Sequence, residues 1–83
     1  MQQERKPQLP TVEEAERIMP IIRAEFAAQG VEPEGLGIHP QGGVTATARP
    51  DKAQEAAITE RLFAKGIVMV RTPQGAFGFA VMR

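Results

Sequence analysis

The sequence contains no cysteine, serine, asparagine, tryptophan or tyrosine, and only one histidine (His39) and one aspartate (Asp51). Without cysteine there is no disulfide framework and no thiolate zinc site. A Ser- or Cys-centred triad is excluded, and the hydroxyl nucleophiles reduce to Thr11, Thr45, Thr47, Thr59 and Thr72. A metal site would have to combine His39 with glutamates, and no ligand spacing links them. These absences argue against an enzyme and imply neither cofactor nor metal. No apolar run reaches the ~18 residues of a membrane span. The opening MQQERKPQLP lacks the apolar segment of a signal peptide. The expectation is a cytoplasmic protein without membrane contact.

Excess charge is also lacking: the net charge is zero. Residues 1–48 carry four basic and seven acidic side chains, a net of −3, and residues 49–83 carry six and three, a net of +3. The basic excess that usually marks nucleic-acid binders is missing. The 83 residues make one domain. A chain of that size buries only about 60% of its unfolded surface, so its stability margin is thin and association would help it.

The first ten residues are polar, hold two prolines and read as a flexible tail ahead of a single domain over 11–83. Thr11 followed by Glu14 is a capping box opening a helix over 11–29. Ala15, Ile18, Met19, Ile22 and Phe26 form its apolar stripe, and Gly30 is its stop. Pro20 interrupts the pattern, so the helix should kink there or divide into two at Met19. Asp51 and Gln54 open a second helix over 51–65, with Ala57, Ile58, Leu62 and Phe63 on a broad apolar side and Gly66 as its stop.

Each helix is followed by a hairpin. Leu36 and Ile38 alternate with Gly37 and His39, and Val44, Ala46 and Ala48 with Thr45 and Thr47, around a tip at 40–42. Ile67 to Arg71 and Phe77 to Val81 flank a second tip, Pro73-Gln74-Gly75. A three-residue loop with a glycine bulge sets the second register: Thr72 opposite Ala76, Arg71 opposite Phe77, Met69 opposite Phe79, Ile67 opposite Val81.

The two halves also resemble one another. IIRAEFAAQGV (21–31) aligns with AITERLFAKGI (57–67), and HPQGGVTATA (39–48) with TPQGAFGFAV (72–81). A repeat of 11–49 in 50–83 is one explanation, and reuse of common punctuation, glycine at a helix end and Pro-x-Gly in a turn, is the other. Either way the chain reads as α+β: two αββ units forming a four-stranded antiparallel sheet with two helices on one face.

Alternation then divides the strands into two sets. Ile67, Met69, Phe77, Phe79 and Val81, with Leu36, Ile38, Val44, Ala46 and Ala48, belong under the helices. The opposite face carries Thr45, Thr47, Val68, Val70, Thr72, Gly78 and Ala80, together with Gly37 and His39. His39 is its one titratable member and reads as a turn residue. An uncharged face with valines at its centre is a candidate contact surface for a protein partner or a second copy. Arg71 should lie over the Phe77 ring.

The stretch AAITERLFAKGIVMVRTPQGAFGFAV (56–81) resembles the end of a winged-helix domain: recognition helix, glycine, strand, tip, strand. That resemblance implies nucleic-acid contacts from Thr59, Arg61 and Lys65 on the helix and Arg71 near the wing. Upstream, the hairpin 36–48 stands where that family has the first helix of its helix-turn-helix. The αββαββ order is also similar to that of LAGLIDADG homing endonucleases, whose motif and metal-binding acids this chain lacks. In kind, the chain is similar to the small accessory proteins of phages and plasmids, including anti-CRISPR and other host-factor inhibitors. Seven arginines against three lysines fit a GC-rich bacterial or phage genome. The leading expectation is a non-enzymatic protein-binding or regulatory module, with a nucleic-acid-binding regulator as the alternative.

Overall fold

A computed structural model describes residues 6–39 and 43–82. The first hairpin tip expected at 40–42 lies outside the described residues. The elements in chain order are β1 (Pro7–Gln8), α1 (Val12–Ala28), β2 (Glu34–Ile38), β3 (Val44–Thr47), α2 (Lys52–Phe63), β4 (Ile67–Arg71) and β5 (Phe77–Met82). The class is α+β, with two helices and an antiparallel sheet.

The sheet has five strands where the sequence suggests four. The additional one is β1, inside the segment read as a tail. Pro7 pairs with Met82 and Gln8 with Val81, Pro10 is buried, and its carbonyl accepts from the Gly43 N–H at 3.2 Å. Proline at 7 and 10 favours extended backbone and tolerates an edge position. β1 and β3 both pair with the same side of β5, β3 at 77–79 and β1 at 81–82, while β4 takes the other side.

Both helices start as their sequences suggest. Thr11 Oγ1 accepts from the Glu14 N–H at 3.2 Å, and Glu14 Oε1 accepts from the Thr11 N–H at 3.0 Å. Asp51 and Gln54 repeat the reciprocal pair at 2.7 and 2.9 Å. Each box satisfies two backbone donors that the first helical turn leaves without partners. α1 runs unbroken through Pro20, so the division into two helices does not occur. Four stripe residues, Ala15, Ile18, Ile22 and Phe26, are buried on both sides of the proline. Their packing offsets the lost N–H and the ring clash, together worth about 3 kcal/mol in an exposed helix. α1 ends on Gly30 at φ 74, with the Val31 N–H reaching the Phe26 carbonyl and the Gly30 N–H reaching that of Ala27. That is a Schellman ending, and Val31 is its buried apolar partner.

The second hairpin has the register expected from its loop: Arg71–Phe77, Met69–Phe79 and Ile67–Val81. Thr72 donates its N–H to the Ala76 carbonyl at 2.8 Å, and Gly75 closes the loop at φ 84. In the first hairpin Ile38 pairs with Val44 and Gly37 with Thr45, but a bulge between Glu34 and Gly37 adds one residue to β2. Gly35, at φ 62, absorbs it.

One core cluster joins both helices to one face of the sheet. Ile18, Ile22 and Phe26 of α1 and Ile58 and Leu62 of α2 pack with Val44, Ala46, Ile67, Met69, Phe77, Phe79 and Val81. Phe26 stands edge-on to Phe77 and Phe79, with centroids 6.4 and 6.1 Å away, the favoured arrangement of aromatic pairs. Phe63, placed by its sequence on the apolar side of α2, instead points out and is 59% exposed. It sits one position beyond Leu62, about 100° round the helix from the buried line.

Between the helices lies a feature that apolar patterning does not reveal. Glu25 of α1 is 4% exposed. Its Oε2 accepts from Arg61 Nε at 2.5 Å, and its Oε1 accepts from Lys65 Nζ at 3.0 Å and Arg61 Nη2 at 3.4 Å. Nearby, Gln54 Nε2 donates to the Gln29 carbonyl at 3.0 Å and ties the start of α2 to the end of α1. The helices therefore run antiparallel, with 29 beside 54 and 25 beside 61.

Candidate binding surface

Directly paired residues in an antiparallel sheet share a face. The pairs Gly37–Thr45, Thr45–Gly78 and Gly78–Val70 form one row across β2, β3, β5 and β4. The row beside it, Ile38–Val44–Phe79–Met69, points into the core. The seven contact candidates on the outer face, Thr45, Thr47, Val68, Val70, Thr72, Gly78 and Ala80, lie outside the core cluster, as do Gly37 and His39. Thr45, Thr47 and Val70 are exposed, and Val68, Thr72, Gly78 and Ala80 are half-buried.

The outer row is low at Gly78, which has no side chain between Thr45 and Val70. Thr45, Val70, Thr72, Ala80, His39 and Gly43 surround the Gly78 position and make a shallow, mainly apolar depression. A methyl at Gly78 would meet only the methyls of Thr72 and Val70, both at 3.7 Å. Thr47, further along β3, and Val68, toward the β4 edge, do not line the depression.

Leu9 is the residue that sequence reasoning missed. It follows β1, is 70% exposed, and forms one wall of the depression against Gly43. A single leucine in a polar, proline-containing segment gives no periodic signal. The available clue was proline itself, which favours the extended backbone an edge strand needs.

Glu34, the exposed partner of Thr47 at the β2 edge, puts one carboxylate on the outer face, where the sequence suggests none. No carboxylate, lysine or arginine lines the depression itself, and among the described residues no group of acids, histidines or cysteines able to hold a metal occurs. No helix is long and apolar enough to cross a membrane. The four residues of the nucleic-acid alternative lie on the helix side. Arg61 and Lys65 both hold Glu25. Arg71 pairs with Glu55 and lies 4.9 Å from the centroid of the Phe77 ring, the contact expected from its sequence. The Thr59 hydroxyl donates to the Glu55 carbonyl at 2.7 Å.

These ion pairs set the local electrostatics. The Arg61 guanidinium, then the Lys65 ammonium, hold the Glu25 carboxyl below its ordinary value against the opposing pull of burial. Glu25 in turn raises Arg61.

Comparison with protein-family models, with curated proteins and with solved structures finds no match to this chain.

Proposed function

We propose that the protein is a binding module that engages a protein partner through the outer face of its sheet, around Thr45, Val70, Gly78 and Ala80. What carries the reading is the depression over Gly78, walled by Leu9 and Val70, whose lining holds no carboxylate, lysine or arginine. Charged and polar residues normally occupy the water side of an antiparallel sheet, and an exposed apolar patch on a small monomer usually has a use. A host-factor inhibitor of the phage or plasmid type is one such module. The cations of the nucleic-acid alternative already sit in intramolecular ion pairs, which favours the protein-binding reading.

A displayed peptide library selected against the protein provides the test. Thr45→Glu with Ala80→Glu places two charges beside the depression, away from both sheet edges. Selected peptides should lose binding to this variant and keep it to Glu16→Lys on α1. Equal binding to both variants, or no enrichment, contradicts the reading.

We also infer that the two αββ units derive from one ancestral unit. Two observations support it. Glu25 and Arg61 occupy matching positions of the aligned segments and bond to each other, 36 residues apart. Thr45 and Gly78 also match, and they pair at the centre of the β3–β5 contact. Both are what a local two-fold axis through the domain would give. A chain carrying two joined copies of 50–83 should fold cooperatively, and a molten product would count against common descent.

A further inference from the structure

We propose that the protein forms a symmetric dimer in which β4 pairs antiparallel with β4 of a second copy, about a two-fold axis at Met69. This uses the sheet edge rather than the outer face and does not rest on the reading above.

The hydrogen-bond phase of β4 fixes which groups are available. Thr72 donates to the Ala76 carbonyl, and Met82 donates to the Gly66 carbonyl at 2.9 Å. Hydrogen-bonded pairs alternate along an antiparallel ladder. Gly66, Val68, Val70 and Thr72 therefore direct their N–H and C=O groups to β5. Ile67, Met69 and Arg71 direct theirs to the other side, where no strand lies among the described residues.

Sheet edges are ordinarily blocked by bulges, proline, inward charge or short length. β2, at the opposite edge, is bulged at Gly35 and carries Glu34. β4 is five residues long, regular in register against β5, and free of lysine and proline; its one charge, Arg71 at the end of the strand, is paired with Glu55. It is also self-complementary. About Met69, Val68 faces the second copy's Val70 twice, and Ile67 faces its Arg71 twice, so no like charges are opposed. The three outward residues of each copy supply six backbone hydrogen bonds.

α2 supplies the second layer. Arg71 pairs with Glu55, which sets helix and strand level at that end. Phe63 lies about 12 Å along the helix from Glu55, and Ile67 about 13 Å along the strand from Arg71. Exposed Phe63 therefore stands level with Ile67, and the two-fold brings it beside the second copy's Ala56, a small exposed residue. Helices lying above neighbouring β4–β5 hairpins stand about two strand spacings, about 10 Å, apart, which is helix-packing distance. The pairing thus covers the Phe63 ring that the monomer leaves in water.

The register makes the test specific. Val68→Lys with Val70→Lys sets lysine against lysine across the axis. Val68→Lys with Val70→Glu sets lysine against glutamate at the same positions. Sedimentation equilibrium at high-micromolar concentration should give twice 9.0 kDa for the wild type, about 9.0 kDa for the first variant and the dimer mass for the second, with unchanged circular dichroism throughout. A monomeric wild type overturns the proposal. So does a folded but monomeric Val68→Lys with Val70→Glu, because face-to-face association would be lost in both variants. Two dimeric variants overturn it as well, since another surface would then hold the copies together.

Discussion

Glu25 is enclosed between two helices with its oxygens held by half-exposed cations. Its folded pKa lies below its ordinary 4.5, so between the two values the unfolded chain binds the extra proton. The stability it contributes is fully present above 4.5 and is lost as pH falls through the lowered native value. Glu25→Gln should lower the melting temperature at neutral pH and flatten the acid limb of the stability curve. Thermal melts at a series of pH values between neutrality and strong acid check this, and an unaltered acid limb refutes it. The residue was not legible in advance. It lies beside the apolar stripe of α1, and its partners are 36 and 40 residues away, beyond the reach of local spacing.

Two glycines separate backbone need from surface shape. Gly75 sits at φ 84 with no atom near a would-be Cβ, so Gly75→Ala costs about 1 kcal/mol through conformation alone. Gly78 has ordinary strand φ and room for a methyl. Gly78→Ala should stabilise the fold by a few tenths of a kcal/mol while making the depression shallower and weakening peptide capture. Urea unfolding of the two variants should therefore move in opposite directions.

At the scale of elements, Pro20 is the clearest local conflict with the fold. It stands inside α1 and its side chain is exposed. Pro20→Ala restores a backbone donor and removes the ring clash, and should stabilise by about 2–3 kcal/mol in denaturant unfolding. A loss of stability would mean that the proline shapes the α1 packing. β1 is the opposite case, a short strand held by its neighbours. Deleting residues 1–8 removes its pairs with Val81 and Met82 and should cost about 1–2 kcal/mol, with faster amide exchange at the end of β5.

Both capping boxes and the second hairpin's register were readable because each is fixed by residues within a few positions. The two-residue β1 was not, because its pairing is set by β5 at the far end of the chain. The inward and outward sets of the strands were readable from alternation, which placed the seven contact candidates on the outer face but not Glu34, whose pairing with Thr47 follows from the bulge in β2. The depression itself was not, because it needs Leu9, Thr45 and Gly78 brought together from three separate segments of the chain.

At the scale of the whole molecule, the helices cover one face of the sheet and leave the other open. The protein-binding reading depends on that asymmetry. The absence of native cysteine makes it directly measurable, since a single introduced thiol has no competitor. Thr45 and Ala46 are neighbours on opposite faces, one exposed and one 2% exposed, and Ala80 lies on the open face of β5. The decisive measurement is the rate of thiol labelling in native protein for Thr45→Cys, Ala80→Cys and Ala46→Cys, each compared with its own unfolded rate. Thr45→Cys and Ala80→Cys should label at close to the unfolded rate, and Ala46→Cys at least about a hundredfold more slowly, as an amide or thiol opened only by unfolding would. Protection at Thr45 and Ala80 equal to that at Ala46 would show the outer face already covered, and would contradict the account.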